Sequence, residues 1–396
     1  MTYTTHGLTS LHDFLGDFVV YRNLVPADAR LPAVADLREQ LGLAGNPLPR
    51  KAEPAYGRVV AEMLRHARRL DRPGATIRRL LFIGDTRLND GTAFRHLCAA
   101  GDWPGWAFIG RDEMSRPAQV ERDGPFYLAN RWSALPDFVR FVESQGGAVD
   151  EETAVVVDVD KTAIGARGRN DSVIDEARLE AVQRTIADLL GVGFDEATFR
   201  AAYDELNRPA YHAFTADNQD YLTYICLVLG AGLFALDDLL RQVRAGSLAG
   251  FPDLIARVQA RRAELAPAGL LPIHDAVWHR VQAGDPTPFK EFRHHEYLTT
   301  AARFGDLPGA SAEEVLARRI VITQEVREVA IFLRERGALV FGLSDKPDEA
   351  AMPGAARTRA GTPDRRSVMQ PLHRLATVAV GERLCPQGSA PRYQSG

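Results

Sequence analysis

The stretch Ala154-Val155-Val156-Val157-Asp158-Val159-Asp160-Lys161-Thr162 sets four consecutive apolar residues directly before two carboxylates two positions apart. An apolar run without alternation, bounded by polar residues, predicts a strand covered on both faces, as in a parallel α/β sheet. Four other runs have the same form: Arg79–Gly84 (RLLFIG), Gly105–Gly110 (GWAFIG), Ala338–Leu343 (ALVFGL) and Ala376–Val380 (ATVAV). Helical periodicity precedes two of them, over Tyr56–Leu70 and Ile320–Arg336. Strands alternating with helices predict an α/β fold built on a doubly wound parallel sheet.

The character changes between Asp171 and about Pro308, where long helical patterns (ARLEAVQRTIADLLG, QDYLTYICLVLGAG, PDLIARVQARRAEL) run without a convincing strand. This predicts an all-helical insertion, entered after one buried strand and left before another. Such an insertion is expected over the carboxyl ends of the strands, where open α/β sheets bind ligands. Residues 351–370, rich in Gly, Pro and Arg, read as a mobile loop. No repeat of solenoid period is present.

The 396 residues are 45% hydrophobic and 25% charged, enough to bury a normal core and too apolar for wholesale disorder. A net charge of −4 points to neither a nucleic-acid nor a membrane-surface partner. Cys98, Cys226 and Cys385 are far apart without CxxC spacing, which argues against a disulfide scaffold or a cysteine zinc site. The N-terminus lacks the basic and apolar segments of a signal peptide, and no apolar run reaches bilayer length. The expectation is a soluble cytoplasmic protein. Only four of the 48 basic residues are lysines (Lys51, Lys161, Lys290, Lys346), which makes each worth a look, since a site needing a compact ammonium cannot always accept a planar guanidinium.

Residues two apart at a strand end point to the same side, so Asp158 and Asp160 converge. Two such groups cannot both stay ionised without a cation or a shared proton. Either a nucleophile paired with a protonated acid or a Mg²⁺ site follows, the alternative being an acidic loop without chemistry.

The strand followed by Asp158-x-Asp160-x-Thr162 resembles the signature of the haloacid dehalogenase (HAD) superfamily. That family carries three further signals: a Ser/Thr after a second strand, a lysine, and an acidic Gly-Asp loop. Ser344 follows ALVFGL after the helical stretch, where the family places its cap, and is itself followed by Asp345-Lys346-Pro347. Downstream of Ser344, Val380-Gly381-Glu382 has no second acid. A better match lies upstream, where LLFIG leads into Gly84-Asp85-Thr86-Arg87-Leu88-Asn89-Asp90, preceded by Pro49-Arg50-Lys51-Ala52-Glu53-Pro54 at a helix start.

The resemblance therefore implies a circularly permuted HAD-like core with an inserted helical cap. Its parts are an N-terminal extension without assignable motif (1–44), a first core part (45–170), the cap (171–308) and a second core part (309–396). Residues 111–150, with the helix-like ALPDFVRFVES, would cross from the sheet edge to its centre. The alternative is two separate α/β domains, with the Asp85 turn acidic by chance.

The same resemblance implies Mg²⁺-dependent phosphomonoester hydrolysis on a small phosphorylated metabolite. Asp158 would form an aspartyl-phosphate, and Asp160 would serve as acid and then base. Mg²⁺ would sit among Asp158, the carbonyl of Asp160, Asp85 and Asp90. Ser344 and Thr162 would contact the phosphoryl group, and Lys51, or Lys346 in its place, would neutralise it. Asp160 speaks against dehalogenation, which needs no acid for a leaving alkoxide. A phosphotransferase or mutase, and a non-catalytic phosphometabolite-binding module, are the alternatives. His294-His295-Glu296, His274-Asp275, Tyr211-His212 and the aromatics Tyr203, Tyr211, Phe214, Tyr221 and Tyr224 read as packing or surface groups. Arg167 and Arg169 are as readily explained by the abundance of arginine as by an anionic substrate.

Overall fold

The computed structural model describes residues 3–45, 48–189, 194–216, 218–347, 350 and 375–380. The loop expected at 351–370, Cys385 and the Gly381-Glu382 pair lie outside the described residues. The described residues form ten strands: β1 (Tyr3–Thr9), β2 (Val19–Val20), β3 (Arg79–Gly84), β4 (Gly105–Gly110), β5 (Val120–Asp123), β6 (Phe126–Ala129), β7 (Thr153–Asp158), β8 (Ile322–Thr323), β9 (Leu339–Leu343) and β10 (Leu375–Val380). Seven form one sheet in the order β2-β9-β7-β3-β4-β6-β5, parallel throughout except for β5.

The unbroken apolar runs are explained by helices on both faces of this sheet. From β7, Val155 and Val157 point into one core while Ala154 and Val156 point into the other. From β3, Leu81 and Ile83 join the first and Leu80 and Phe82 the second. Helices Leu135–Ser144 and Gln324–Glu335 cover the first face through Phe138, Val142, Val326 and Val329. Helices Pro54–Asp71 and Asn89–Gly101 cover the second through Val60, Met63, Phe94 and Leu97.

Three findings depart from the sequence expectation. The run at β10 does not join the main sheet: it pairs antiparallel with β1 and parallel with β8 in a separate three-stranded sheet. The described part of the segment taken as an N-terminal extension, residues 3–44, contributes to the sheets, because β1 partners β10 and β2 extends the main sheet beside β9. The helix expected from Ile320 starts at Gln324, because Ile322–Thr323 is strand β8.

The chain divides into two compact units, Met1–Ala177 with Thr300–Gly396, and Arg178–Thr299. Residues 171–177, grouped by sequence with the helical insertion, belong to the first unit, where Val173 and Ile174 enter its core. The second unit is helical where described, around a core that includes Phe199, Tyr203, Tyr224, Phe251 and Phe292. No helix among the described residues is long and apolar enough to cross a membrane.

Helices Pro54–Asp71 and Asn89–Gly101 meet at Gly57, where a Cβ would lie 2.5 Å from the carbonyl oxygen of His96. Alanine is the better helix former by about 1 kcal/mol, but overlap with rigid backbone costs about 1–3 kcal/mol. Gly57→Ala is therefore expected to lower stability in urea unfolding. A more stable variant would show that this contact does not set the helix spacing.

Candidate functional site

The carboxyl ends of three adjacent parallel strands deliver the central groups. Ile83 lies opposite Val157, and Asp158 opposite Leu343, so Asp85, Asp158 and Ser344 emerge at one level. Lys51 comes from the turn before helix Pro54–Asp71, and its carbonyl accepts a hydrogen bond from His96 Nδ1 at 3.2 Å.

Lys51 Nζ is nearly enclosed and ion-pairs with three carboxylates: Asp158 Oδ1 at 2.8 Å, Asp90 Oδ1 at 2.9 Å and Asp345 Oδ2 at 2.9 Å. Asp90 opens helix Asn89–Gly101, and its other oxygen closes the acidic loop. That oxygen accepts from the Asp85 and Thr86 amides at 3.1 and 2.9 Å and from Thr86 Oγ1 at 3.0 Å. Gly84 makes this possible, since a Cβ there would lie 2.7 Å from the Asp90 Cβ. Asp85 ion-pairs with Arg167 Nε.

Asp85, Asp90 and Asp158 each offer a carboxylate oxygen within 4.8 Å of the others, and the three can hold a metal ion. Among the described residues this is the one such group. The donor set suits a hard cation, being all oxygen. The charge balance also fits: among the described residues the carboxylates of Asp85, Asp90, Asp158 and Asp345 face only Lys51 and Arg167 as ion-pair partners, leaving the charge a divalent cation would cancel.

The same imbalance orders the protonation equilibria. Burial opposes the charge on Lys51, but Asp158, Asp345 and Asp90 together hold its pKa well above the usual lysine value. Burial pushes Asp158 well above the carboxylate range, with Asp90 and Asp85 adding to it and Lys51 opposing. Asp85 is raised to about 8 by burial and by Asp90, against the pull of Arg167. At Asp90 burial is outweighed by Lys51 and by the hydrogen bonds of the loop, and the pKa falls to about 2.

Asp160 is half-buried on the loop beyond β7, outside the three-carboxylate group. Lys161 adopts φ of +63° and pairs with Asp175 at 2.8 Å, away from the acidic cluster. The Ser344 amide donates to Val20 O at 2.9 Å, and Ser344 Oγ accepts from the Lys346 amide at 3.1 Å. Lys346 Nζ donates to Thr300 Oγ1 at 3.1 Å, so the ammonium that meets Asp158 is Lys51. Thr162, expected at the phosphoryl group, is wholly buried: its carbonyl accepts from Thr323 Oγ1, and its own hydroxyl is enclosed without a partner.

Two partners of the cluster were not anticipated. Asp345 completes the shell around Lys51, and its adjacency to Ser344 at a strand end is the available signal. Arg167 holds Asp85, while the side chain of Arg169 is fully buried between Asp112 and Glu325 at 2.7 Å each. In the helical unit, Glu296 is buried against Arg293 at 2.6 Å, and His274 lies between Tyr224 and Gln259, so these groups are committed to packing. Tyr203, Tyr211, Phe214 and Tyr224 are core residues there, with Tyr221 stacked on Phe251. Comparison of the chain with protein-family models, curated proteins and solved structures gives no match.

The raised Asp85 pKa fixes a sign for stability. An unfolded aspartate loses its proton near pH 4, at about 3.9, whereas the native group keeps it to about 8. Between these limits the native state binds more protons, so stability falls as pH rises. In chelator-treated protein, denaturant unfolding is expected to show a decline from pH 5 to 8, with this group contributing at most about 1 kcal/mol per pH unit. Asp85→Asn should flatten the slope. An equal slope in both proteins would place the proton elsewhere.

Proposed function

We propose that this chain is a Mg²⁺-dependent phosphomonoester hydrolase of the HAD type, acting through an aspartyl-phosphate on Asp158. The observation that carries the proposal is the meeting of Lys51, the Asp85–Asp90 loop and Asp158. They come from separate segments, and the resemblance assigns each a place in one site. The order of the sheet supports the permuted arrangement, since β7 lies between β9, which leads to Ser344, and β3, which leads to Asp85. The contacts between those segments speak against two independent α/β domains. The helical unit follows β7 in the chain, the position in which that family carries its cap.

Asp158 Oδ attacks phosphorus as the bond to the leaving oxygen breaks, and Asp160 gives that oxygen its proton. Water then attacks the acyl phosphate, Asp160 takes its proton, and the bond between Asp158 and phosphorus breaks to release inorganic phosphate. Lys51 orients Asp158 and balances the charge gathered on the phosphoryl oxygens. Ser344 Oγ already accepts from the Lys346 amide, which leaves its hydroxyl hydrogen to donate to a phosphoryl oxygen. Asp85, Asp90 and Asp158 would hold Mg²⁺, which would supply the positive charge that three ionised carboxylates and a phosphate dianion need in one place.

Turnover of p-nitrophenyl phosphate is expected with Mg²⁺ and not with excess chelator, and Asp158→Asn should reduce it to the uncatalysed background. If parent and variant release p-nitrophenol at the same background rate, Asp158 is not a nucleophile and a binding module is the better account.

Asp160→Asn separates the acid from the nucleophile. An alkyl phosphate needs its leaving oxygen protonated, whereas p-nitrophenolate leaves readily without help. The loss should therefore be larger for glycerol 3-phosphate, about 10²- to 10⁴-fold, than for the aryl ester. Equal losses on both substrates would remove Asp160 from the role of acid.

A further inference from the structure

Asp85 faces two ways. It belongs to the three-carboxylate group, and it also lines a cavity of about 510 Å³ in the same unit. The opposite wall is the segment from the end of β4 through the β5–β6 hairpin, which no part of the proposed phosphoryl chemistry employs. Arg87, Arg111, Arg116 and Arg167 line the cavity, against the acids Asp85, Glu113 and Glu121.

The distribution of charge in that wall points to an anion. Glu113 is the ion-pair partner of both Arg111 and Arg116, so one carboxylate serves two guanidinium groups. Those two side chains line the cavity and are 57% and 72% exposed, so they are not packed away against the protein. Beneath them the buried guanidinium of Arg131 binds the main-chain carbonyls of Glu113, Asn130 and Arg116 and so fixes the shape of the loop. Among the described residues no carboxylate forms an ion pair with Arg131, and its Nε has no partner. A cation withdrawn from water without a counter-charge raises the potential of the surface above it and favours an anion there. Bidentate guanidinium groups suit carboxylate and phosphate oxygens.

We propose that this cavity is the subsite for a second oxyanion on the substrate, so that the molecule hydrolysed is a phosphomonoester with a further phosphate or carboxylate. The proposal rests on the hydrolase reading for the first phosphate, since Asp85 joins the cavity to the acidic cluster. Ile109 and Leu128 supply apolar wall between the charged ends, and the volume accepts a sugar-sized body.

Two matched pairs of probes test it: fructose 1,6-bisphosphate against fructose 6-phosphate, and 3-phosphoglycerate against glycerol 3-phosphate. Within a pair the compounds differ chiefly in the second oxyanion. With Mg²⁺, the parent protein is expected to favour the bis-anion in at least one pair by about tenfold or more in kcat/KM, and the pair that responds identifies phosphate or carboxylate. The double variant Arg111→Ala/Arg116→Ala should bring that ratio to about one. Arg140→Ala, which removes one exposed positive charge from helix Leu135–Ser144, should keep it. Equal treatment of both members of each pair by the parent, or a preference that survives in the double variant, would overturn the subsite.

Calorimetric binding of the same four compounds separates this proposal from the hydrolase reading. If no probe is turned over yet the bis-anion binds about tenfold tighter and loses that margin in the double variant, the subsite stands and the hydrolase reading falls. Turnover without preference for a bis-anion would leave the hydrolase reading standing and remove the subsite.

Discussion

A single buried ammonium organises the site. Lys51 Nζ lies within 2.9 Å of carboxylate oxygens from Asp90, Asp158 and Asp345, which belong to three different parts of the chain. Removing an ammonium from water costs several kcal/mol, and attraction repays that only if its partners are held in place. The strands and helices meet this demand. Parallel register sets Asp158 level with Leu343, so Asp345 follows at the height of the lysine. Gly57 lets helix Asn89–Gly101 approach helix Pro54–Asp71, and Gly84 lets Asp90 fold back under its own loop. Main-chain packing and ion pairing thus act as one constraint.

Two cations divide the acidic cluster between them. Lys51 holds Asp90 and Asp158, and Arg167 holds Asp85. Their effects are unequal because Asp90 also receives amide and hydroxyl hydrogen bonds from its loop, while Asp85 faces Asp90 as a like charge. The result is a low pKa at Asp90 beside raised ones at Asp85 and Asp158. A divalent ion entering such a cluster displaces protons, and the two groups with raised pKa values are those from which they leave. Arg167 also lines the cavity beside Asp85, so its charge serves both spaces.

The central strands were legible in the sequence for a physical reason. Strands buried on both faces must be continuously apolar, and β3, β4, β7 and β9 are. The edge elements carry no such mark. Strand β5 reads VERD and is exposed along its length, and β2 is two residues long. Strand β10 has an apolar run like those of the central strands, yet its neighbour is β1 (YTTHGLT), which composition alone does not identify as a strand. Among site residues, strand-end carboxylates were readable because their position implies function. Arg167 was not, because its significance lies in its partner Asp85, and at Asp345 the strand-end position was the one signal, its pairing with Lys51 being visible only in the fold. Thr162 shows the converse: it matched a motif, but the fold encloses it.

Chain order has little hold on this arrangement. Lys51 and the Asp85–Asp90 loop precede β7 in sequence, yet they reach its carboxyl end because β3 is its neighbour in the sheet. Neighbouring strands of a parallel sheet need only a crossover to connect them, and their carboxyl ends lie together whichever strand the chain visits first. The residues between β4 and β7 illustrate the freedom this leaves. They make the β5–β6 hairpin, which extends the sheet, then helix Leu135–Ser144, which covers one face. The hairpin segment also builds the arginine-bearing wall opposite Asp85. A connection that must cross the molecule anyway can therefore shape the binding space without disturbing the strand ends that hold the reactive groups.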